Sequence, residues 1–442
     1  MKARLVPLYF KSGMDEDFKK QLASLKAMLA EEAEILEPVA LGVKLPEADA
    51  VLFPQLLGDA FKQFDELRKI RIPFVVLTSD FGTVNMWDWE IVSFMSTEGL
   101  EVFAPYTLDL TRKICRTLAL KRQLKSTRFL VYQDNPGEGM QADIFKRFYW
   151  WEERCTKLIK ERFGVTIVKK SFKQMGAEAK QIPDREAEAA WKGWENRGLK
   201  IDLRPRALNS AVKIYLAVKK EVEKDPAIGG VGINCLNESF YSDTTPCLAW
   251  AMLFEEKGLL WACEADTMSL LSKYIIHKSL GVPIMMSNIY PFLMGQAALK
   301  HEHIEDFPKV KGNPDDYLLM VHCGYLGVVP KSFSTEWTLR PKVLDIVDEN
   351  ASAIDARMPE GPITISKLDP TLTRLQVIQG ELEKYAQYPG SHCRNGAVIR
   401  VRDGHRLMES FYSHHNLLIT GHRRVELKFM ARALGLEVDE LV

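Results

Sequence analysis

The sequence predicts an α/β protein: two α/β domains with parallel sheets, followed by a C-terminal, mostly antiparallel β-rich domain. Three observations carry this reading. Short apolar runs of strand length alternate with amphipathic helical stretches over roughly the first 290 residues, and a β, α, β, α order implies a parallel sheet with helices on its faces. After Asn288 the rhythm changes: YLLMVHCG, GPITISKLD, RLQVIQGEL and AVIRVRD are strand-like, and no long helix separates the last three. Finally, 442 residues exceed the length at which one core stops growing, about 250–300 residues.

The elements follow in order. ARLVPLYF reads as a strand and DEDFKKQLASLKAMLAEEAEIL as an amphipathic helix. ADAVLFPQ and IPFVVLTS are strand-length apolar runs, and LDLTRKICRTLALKRQLKS is a long helix leading to a boundary near residue 127. A second series runs from 128 to 289. It comprises RFLVYQDN, a long helix MQADIFKRFYWWEERCTKLIKERF, GVTIVKKSF, two helices within roughly 184–224, GGVGINCL, the helix TTPCLAWAMLFEEKG, and a final strand–helix–strand unit. The third domain, 290–442, holds the β-rich part and closes on the helix RRVELKFMARALG.

Composition narrows the function classes. Lysine plus arginine equals aspartate plus glutamate at 59 each, so no basic surplus points to nucleic acid. No stretch approaches eighteen apolar residues, and the N-terminal apolar run is too short for a signal segment, so no membrane span is expected. The seven cysteines are scattered without a CxxC pair, which fits reduced thiols in a cytoplasm and argues against a zinc ribbon. GEGM at 137–140 lacks the spacing of phosphate-binding loops.

The unit from Leu259 to Asn288 carries the chemistry. Met268, Leu271 and Ile275 share one face of its helix, and Gly281 and Pro283 stop it. LLWAC and VPIMM are therefore expected as parallel strands of one sheet, each with a polar residue at its carboxyl end: Glu264 and Asn288. Ligands of open α/β sheets bind beyond those ends. The alternative is local: Glu264 caps the helix and Asn288 starts a turn.

Late in the chain, SHHNLLITGH precedes a helix. WACEAD, the 24-residue step to MMSN and this late element together resemble the L-fucose isomerase/L-arabinose isomerase superfamily. The usable motifs lie from about residue 229 onward. The resemblance implies two Rossmann-like α/β domains and a barrel-like C-terminal domain, assembled as a homohexamer with sites shared between subunits. It implies metal-dependent aldose–ketose isomerisation of an open-chain sugar. Glu264 and Asp266 match the family's E-x-D element, and His415 falls at its metal histidine. Glu264 would then be both metal ligand and catalytic base, with Asp266 orienting its neighbours. Carboxylate, imidazole and water ligands suit Mn²⁺, or alternatively Mg²⁺, Co²⁺ or Zn²⁺. Trp87 and Trp89 match the role of an N-terminal aromatic that covers the sugar from a neighbouring subunit, with plain packing as the alternative.

One departure matters. The family has a carboxylate where this chain has Asn288. An amide oxygen can still ligate a hard cation but cannot act as a carboxylate base. His322, after the strand YLLMV, is a candidate to compensate as a further metal ligand. Epimerase or lyase chemistry, or a non-catalytic sugar-binding role, are the alternatives this change leaves open. His414 is expected to face away from His415, because adjacent strand residues point to opposite faces. His422 is read as structural, and His301 and His303 as surface residues.

Overall fold

The computed structural model describes residues 1–56, 59–134, 149–235, 241–301, 308–321, 331–341, 349–387 and 395–441. The chain divides into two compact units. The first comprises Met1–Lys125, Lys278–Gly281 and Val425–Leu436; the second comprises Ser126–His277, Val282–Arg424 and Glu437–Val442.

The first unit is built on β1 (Ala3–Tyr9), β2 (Ala33–Ile35), β3 (Val39–Ala40), β4 (Ala50–Phe53), β5 (Phe74–Val76) and β6 (Val102–Phe103). All pair in parallel, in the order β2-β1-β4-β5-β6, with β3 also on β1. Neighbouring residues of one strand feed different cores. Leu52 and Val75 belong to one buried cluster, and Val51, Phe74 and Val76 to another. A sheet covered on both faces needs this, and it explains why these strands read as unbroken apolar runs. The helix Glu16–Met28 starts at Asp15, whose side chain accepts from Phe18 N, and turns Phe18, Leu22 and Leu25 inward. The helix Arg424–Ala433 was expected to close the C-terminal domain. Its segment groups instead with the first unit, where Phe429 packs on Phe103 at 6.2 Å and Glu426 pairs with Lys113 at 3.3 Å.

Among the described residues, the second unit contains three sheets. β7 (Arg128–Tyr132), β8 (Thr166–Lys170), β10 (Ile228–Ile233) and β11 (Leu260–Ala262) form a parallel sheet in the order β11-β10-β7-β8. A small sheet joins β9 (Lys200–Ile201) to β14 (Glu336–Pro341) and β15 (Ser352–Arg357). The third sheet is a closed antiparallel barrel. Its strands are β12 (Ile284–Pro291), β13 (Tyr317–Val321), β16 (Gly361–Leu368), β17 (Arg374–Gln387), β18 (Asn395–Arg400) and β19 (His415–Thr420). They run β16-β19-β12-β13-β18-β17, and β16 pairs with β17 to close the ring. β20 (Glu437–Leu441) extends β17 in parallel. The protein is thus a mixed α/β structure with two parallel sheets and an antiparallel six-stranded barrel. Among the described residues, no helix is long and apolar enough to cross a membrane.

Two expectations are corrected here. β12 is not a parallel neighbour of β11; it pairs antiparallel with β13 and β19 inside the barrel. An apolar run records that a strand is buried, not which strands bury it. The long helix expected across the YWW segment does not run through it, and the part expected before Tyr149 lies outside the described residues. Tyr149–Trp151 is a 3₁₀ turn, and the helix covers Glu153–Phe163.

The helix Thr267–Leu280 carries a fully buried lysine, Lys273. Its Nζ lies 3.2 Å from the centre of the Trp261 ring and 3.4 Å from Trp261 O. Burial pulls its pKa down to about 7. In the unfolded chain the amine stays charged up to about pH 10.4. Lys273 therefore costs stability below that pH, and the cost is complete below about 7. Lys273→Met keeps the aliphatic volume and is expected to stabilise the fold by about 1–2 kcal/mol or more. The gain should be larger at pH 6 than at pH 9. Chemical denaturation at both values checks this, and a loss of stability in the variant would sink it.

Candidate metal centre

β11 ends at Ala262, and the chain turns sharply through Cys263–Ala265. Glu264 and Ala265 both adopt left-handed backbone, with φ of 56° and 52°. Each such non-glycine residue costs about 1 kcal/mol or more, so the surroundings must enforce the turn. They do so by hydrogen bonds. Glu264 N donates to Cys235 Sγ at 3.3 Å, Trp151 Nε1 donates to Glu264 O, and Asp266 N donates to Cys263 O at 3.0 Å. Trp151 belongs to the 3₁₀ turn Tyr149–Trp151.

Sequence supports the turn from below. Gly232 on β10 has no Cβ; one built there would lie 3.1 Å from Ala265 Cα. Gly232→Ala is expected to push the turn outward, costing about 1–3 kcal/mol and weakening metal binding. Denaturation and metal titration of the variant test this; unchanged values in both would overturn it.

Asp266 does two jobs with one carboxylate. It caps the helix Thr267–Leu280, with Oδ1 accepting from Ser269 N at 2.8 Å and Oδ2 from Ser269 Oγ at 2.7 Å. The cap is thus Asp266, not Glu264. Its Oδ2 also meets His415 Nδ1 at 2.9 Å and Lys367 Nζ at 3.4 Å. Asp266, His415 and Lys367 are each at most 1% exposed. A carboxylate at Nδ1 holds a proton there and fixes the ring, so Nε2 is the nitrogen free to ligate once it gives up its own proton, the arrangement that commonly orients a metal-binding histidine.

His415 opens β19 and lies directly across the ladder from Asn288 of β12. Directly opposed side chains share a face, so the barrel pairing brings Asn288 to the site that a parallel pairing was expected to build. The buried Asn288 Oδ1 and His415 Nε2 make no hydrogen bond among the described residues. His415 Nε2 is 3.5 Å from Glu264 Oε1. Donor atoms of Glu264, His414 and His415 all lie within 4.8 Å of one another.

The position of His414 corrects the expectation from strand alternation. β19 begins at His415, so His414 is outside the pleat. Its carbonyl accepts from Ile289 N at 2.9 Å. Its ring lies 4.3 Å from that of His415 and parallel to Tyr290, at 6.1 Å and 2°.

Charge is arranged around this cluster. Burial works against the Asp266 carboxylate, but Lys367, His415 and the Ser269 N–H outweigh it and hold the pKa well below the usual range. Burial likewise disfavours charge on His415; Glu264 and Asp266 reverse that and raise it to about 9. Burial, then cationic His415 and Lys367, keep His414 neutral. A carboxylate and two imidazoles within 4.8 Å of one another, with the Asn288 amide on the face of His415, are a donor set that fits a divalent cation.

Sequence reasoning therefore found Glu264, Asp266, Asn288 and His415, which the fold brings together. It missed Lys367, which also donates to Ser413 Oγ at 2.7 Å, and Trp150, whose ring is 5.1 Å from that of His415. A lysine inside the apolar strand GPITISKL was the available signal for Lys367. Trp87 and Trp89 lie in the first unit on the helix Met86–Thr97 and are 59% and 61% exposed. His422 Nε2 is 3.2 Å from Glu381 Oε1. His322, His303 and the GEGM stretch lie outside the described residues, as does the side chain of His301. The chain matches no protein-family model, and comparison with curated proteins finds no match.

Proposed function

We propose that this protein is a metal-dependent aldose–ketose isomerase of the L-fucose/L-arabinose isomerase type, acting on an open-chain sugar or sugar derivative. The observation that carries the reading is the convergence of Glu264, Asp266 and His415 from sequence positions about 150 residues apart. The two parallel sheets would correspond to the Rossmann-like domains of that superfamily, and the barrel to its C-terminal domain. A cytoplasmic homohexamer follows from the same reading. The exposed Trp87 and Trp89 would then cover the sugar in a neighbouring subunit.

Glu264, His415 and Asn288 would hold the ion, taken as Mn²⁺ or a similar divalent metal. When bound, the ion would polarise the sugar's carbonyl and hydroxyl oxygens and stabilise charge on the enediolate. Glu264 is the carboxylate available to take the proton from the carbon beside the carbonyl and return it to the neighbouring carbon. Asp266 holds His415 in one tautomer, and Lys367 keeps Asp266 ionised. Trp150, whose ring is 5.1 Å from that of His415, would help keep water from the proton-transfer position.

The test is isotope exchange: incubation with Mn²⁺ and a panel of sugars in D₂O, reading deuterium at C2. Exchange on at least one sugar is expected. No exchange on any sugar or sugar acid, with metal bound, would overturn the isomerase reading. Asn288 favours a second reading, epimerase or lyase chemistry through the same enediolate, because the amide supplies no second carboxylate base. Product analysis separates the two.

A further inference from the structure

We infer that His414 is a third protein ligand, giving a two-histidine, one-carboxylate centre that selects Zn²⁺, Fe²⁺ or Co²⁺, and to a lesser degree Mn²⁺, over Mg²⁺ and Ca²⁺. This rests on the reading that the cluster holds a metal, and not on which reaction follows.

Geometry comes first. Ligand atoms about 2.0–2.2 Å from a common ion sit roughly 3 Å apart at right angles and a little over 4 Å apart when opposed. Glu264 Oε1 and His415 Nε2 are 3.5 Å apart, and ligand atoms, one each from Glu264, His414 and His415, lie within 4.8 Å of one another. Side-chain rotations would be needed to bring all three onto one ion. The two imidazoles are held by different devices. His415 is fixed by Asp266 at Nδ1, so its Nε2 is the ligating atom. His414 is fixed by its carbonyl bond to Ile289 N and by Tyr290, whose ring lies parallel to its own. The same Ile289 adjoins Asn288, whose buried amide oxygen shares the face of His415. The His414 backbone and the Asn288 amide therefore approach the point from one strand pair.

Chemistry then sets the ion. Imidazole nitrogen suits the later first-row divalent metals, whereas Mg²⁺ and Ca²⁺ take oxygen ligands. Two nitrogens, one carboxylate and one neutral amide oxygen make a poor magnesium site. They make a serviceable site for zinc, iron, cobalt or manganese with positions left for substrate oxygens. His414 thus offsets in affinity what the amide at 288 fails to provide, without restoring a second carboxylate base.

The experiment uses the full-length protein stripped of metal and reloaded with Co²⁺ or Zn²⁺. X-ray absorption counts imidazole ligands, and calorimetric titration compares Zn²⁺, Mn²⁺ and Mg²⁺. At least two imidazoles are expected, with Mn²⁺ bound at least tenfold more tightly than Mg²⁺. His414→Ala should lower the imidazole count by one and weaken Zn²⁺ and Mn²⁺ at least tenfold, while His422→Ala leaves both unchanged. If the alanine variant misfolds by circular dichroism, His414→Asn serves in its place, with the same loss of one imidazole. A single imidazole in the parent protein, an unchanged count in the variant, equal affinity for Mg²⁺, or no metal binding would overturn the inference. Two imidazoles without isotope exchange on any sugar would leave this inference standing and remove the isomerase reading.

Discussion

Lys367→Met is expected to destabilise the protein by about 3–5 kcal/mol, the usual cost of removing one partner from a buried ion pair. Lys367 is 1% exposed and Asp266 is fully buried. Methionine keeps the aliphatic bulk of the lysine, so the change removes charge rather than volume. The Asp266 carboxylate would lose a cation 3.4 Å away, and Ser413 Oγ would lose its 2.7 Å donor. The pH dependence has a definite sign. Asp266 has a depressed folded-state pKa. Its contribution is present above the unfolded value of about 3.9 and is lost as pH falls through the folded value. Removing Lys367 raises that folded value, so the variant's acid unfolding should begin at higher pH. Urea denaturation from pH 3 to 7 reads both effects. A double-mutant cycle with Asp266→Asn should return a coupling of about 1–3 kcal/mol. A cost below about 1 kcal/mol for Lys367→Met, with no shift in acid unfolding, would mean that the pair does not hold the centre.

Metal affinity is expected to rise about tenfold per pH unit between pH 7 and 9 and then level off. In the metal-free protein the His415 pKa is raised to about 9, because Glu264 and Asp266 outweigh the effect of burial. A raised pKa on a histidine stabilises the metal-free fold fully below the unfolded value of about 6.5, and that stability is lost as pH rises through about 9. A cation binding at Nε2 must displace the same proton, so each binding event below about pH 9 releases one. Titration in two buffers of different ionisation heat counts that proton directly. Asp266→Asn removes one of the groups that raise His415 and weakens the hold on its tautomer. The midpoint of the profile should move down, while affinity at the plateau falls about 10–100-fold, the usual effect of losing a residue that orients a ligand. A flat profile from pH 6 to 9 would contradict a proton on His415.

How far these residues were legible in the sequence follows from the range of the interactions involved. Glu264, Asp266 and His415 stood out because each sits in a short local pattern, WACEAD or SHHNLL. Asn288 was picked as a site residue for one reason and arrived there for another. Its strand was expected beside β11, yet it meets His415 through antiparallel pairing in the barrel. A strand's own residues encode its burial, whereas its partner is chosen by competition among all the strands of the chain. His414 was misread because alternation holds only within a strand, and β19 begins one residue later.

What the sequence by itself determined is the local layer. It placed most of the strands and helices of the α/β portion, a change to β-rich structure near Asn288, and Glu264, Asp266 and His415 as candidate site residues. Periodicity, turn residues and side-chain chemistry act over a few positions, so they can be read without the fold. What only the tertiary structure decided is which of those groups share a point in space. That includes closing six strands into a barrel, setting Asn288 across from His415, turning His414 toward Glu264, and burying Lys367 against Asp266. The physical reason is that burying a charge is tolerable only beside its partner, and here the partners of Lys367 and His415 lie 101 and 149 residues away in the chain.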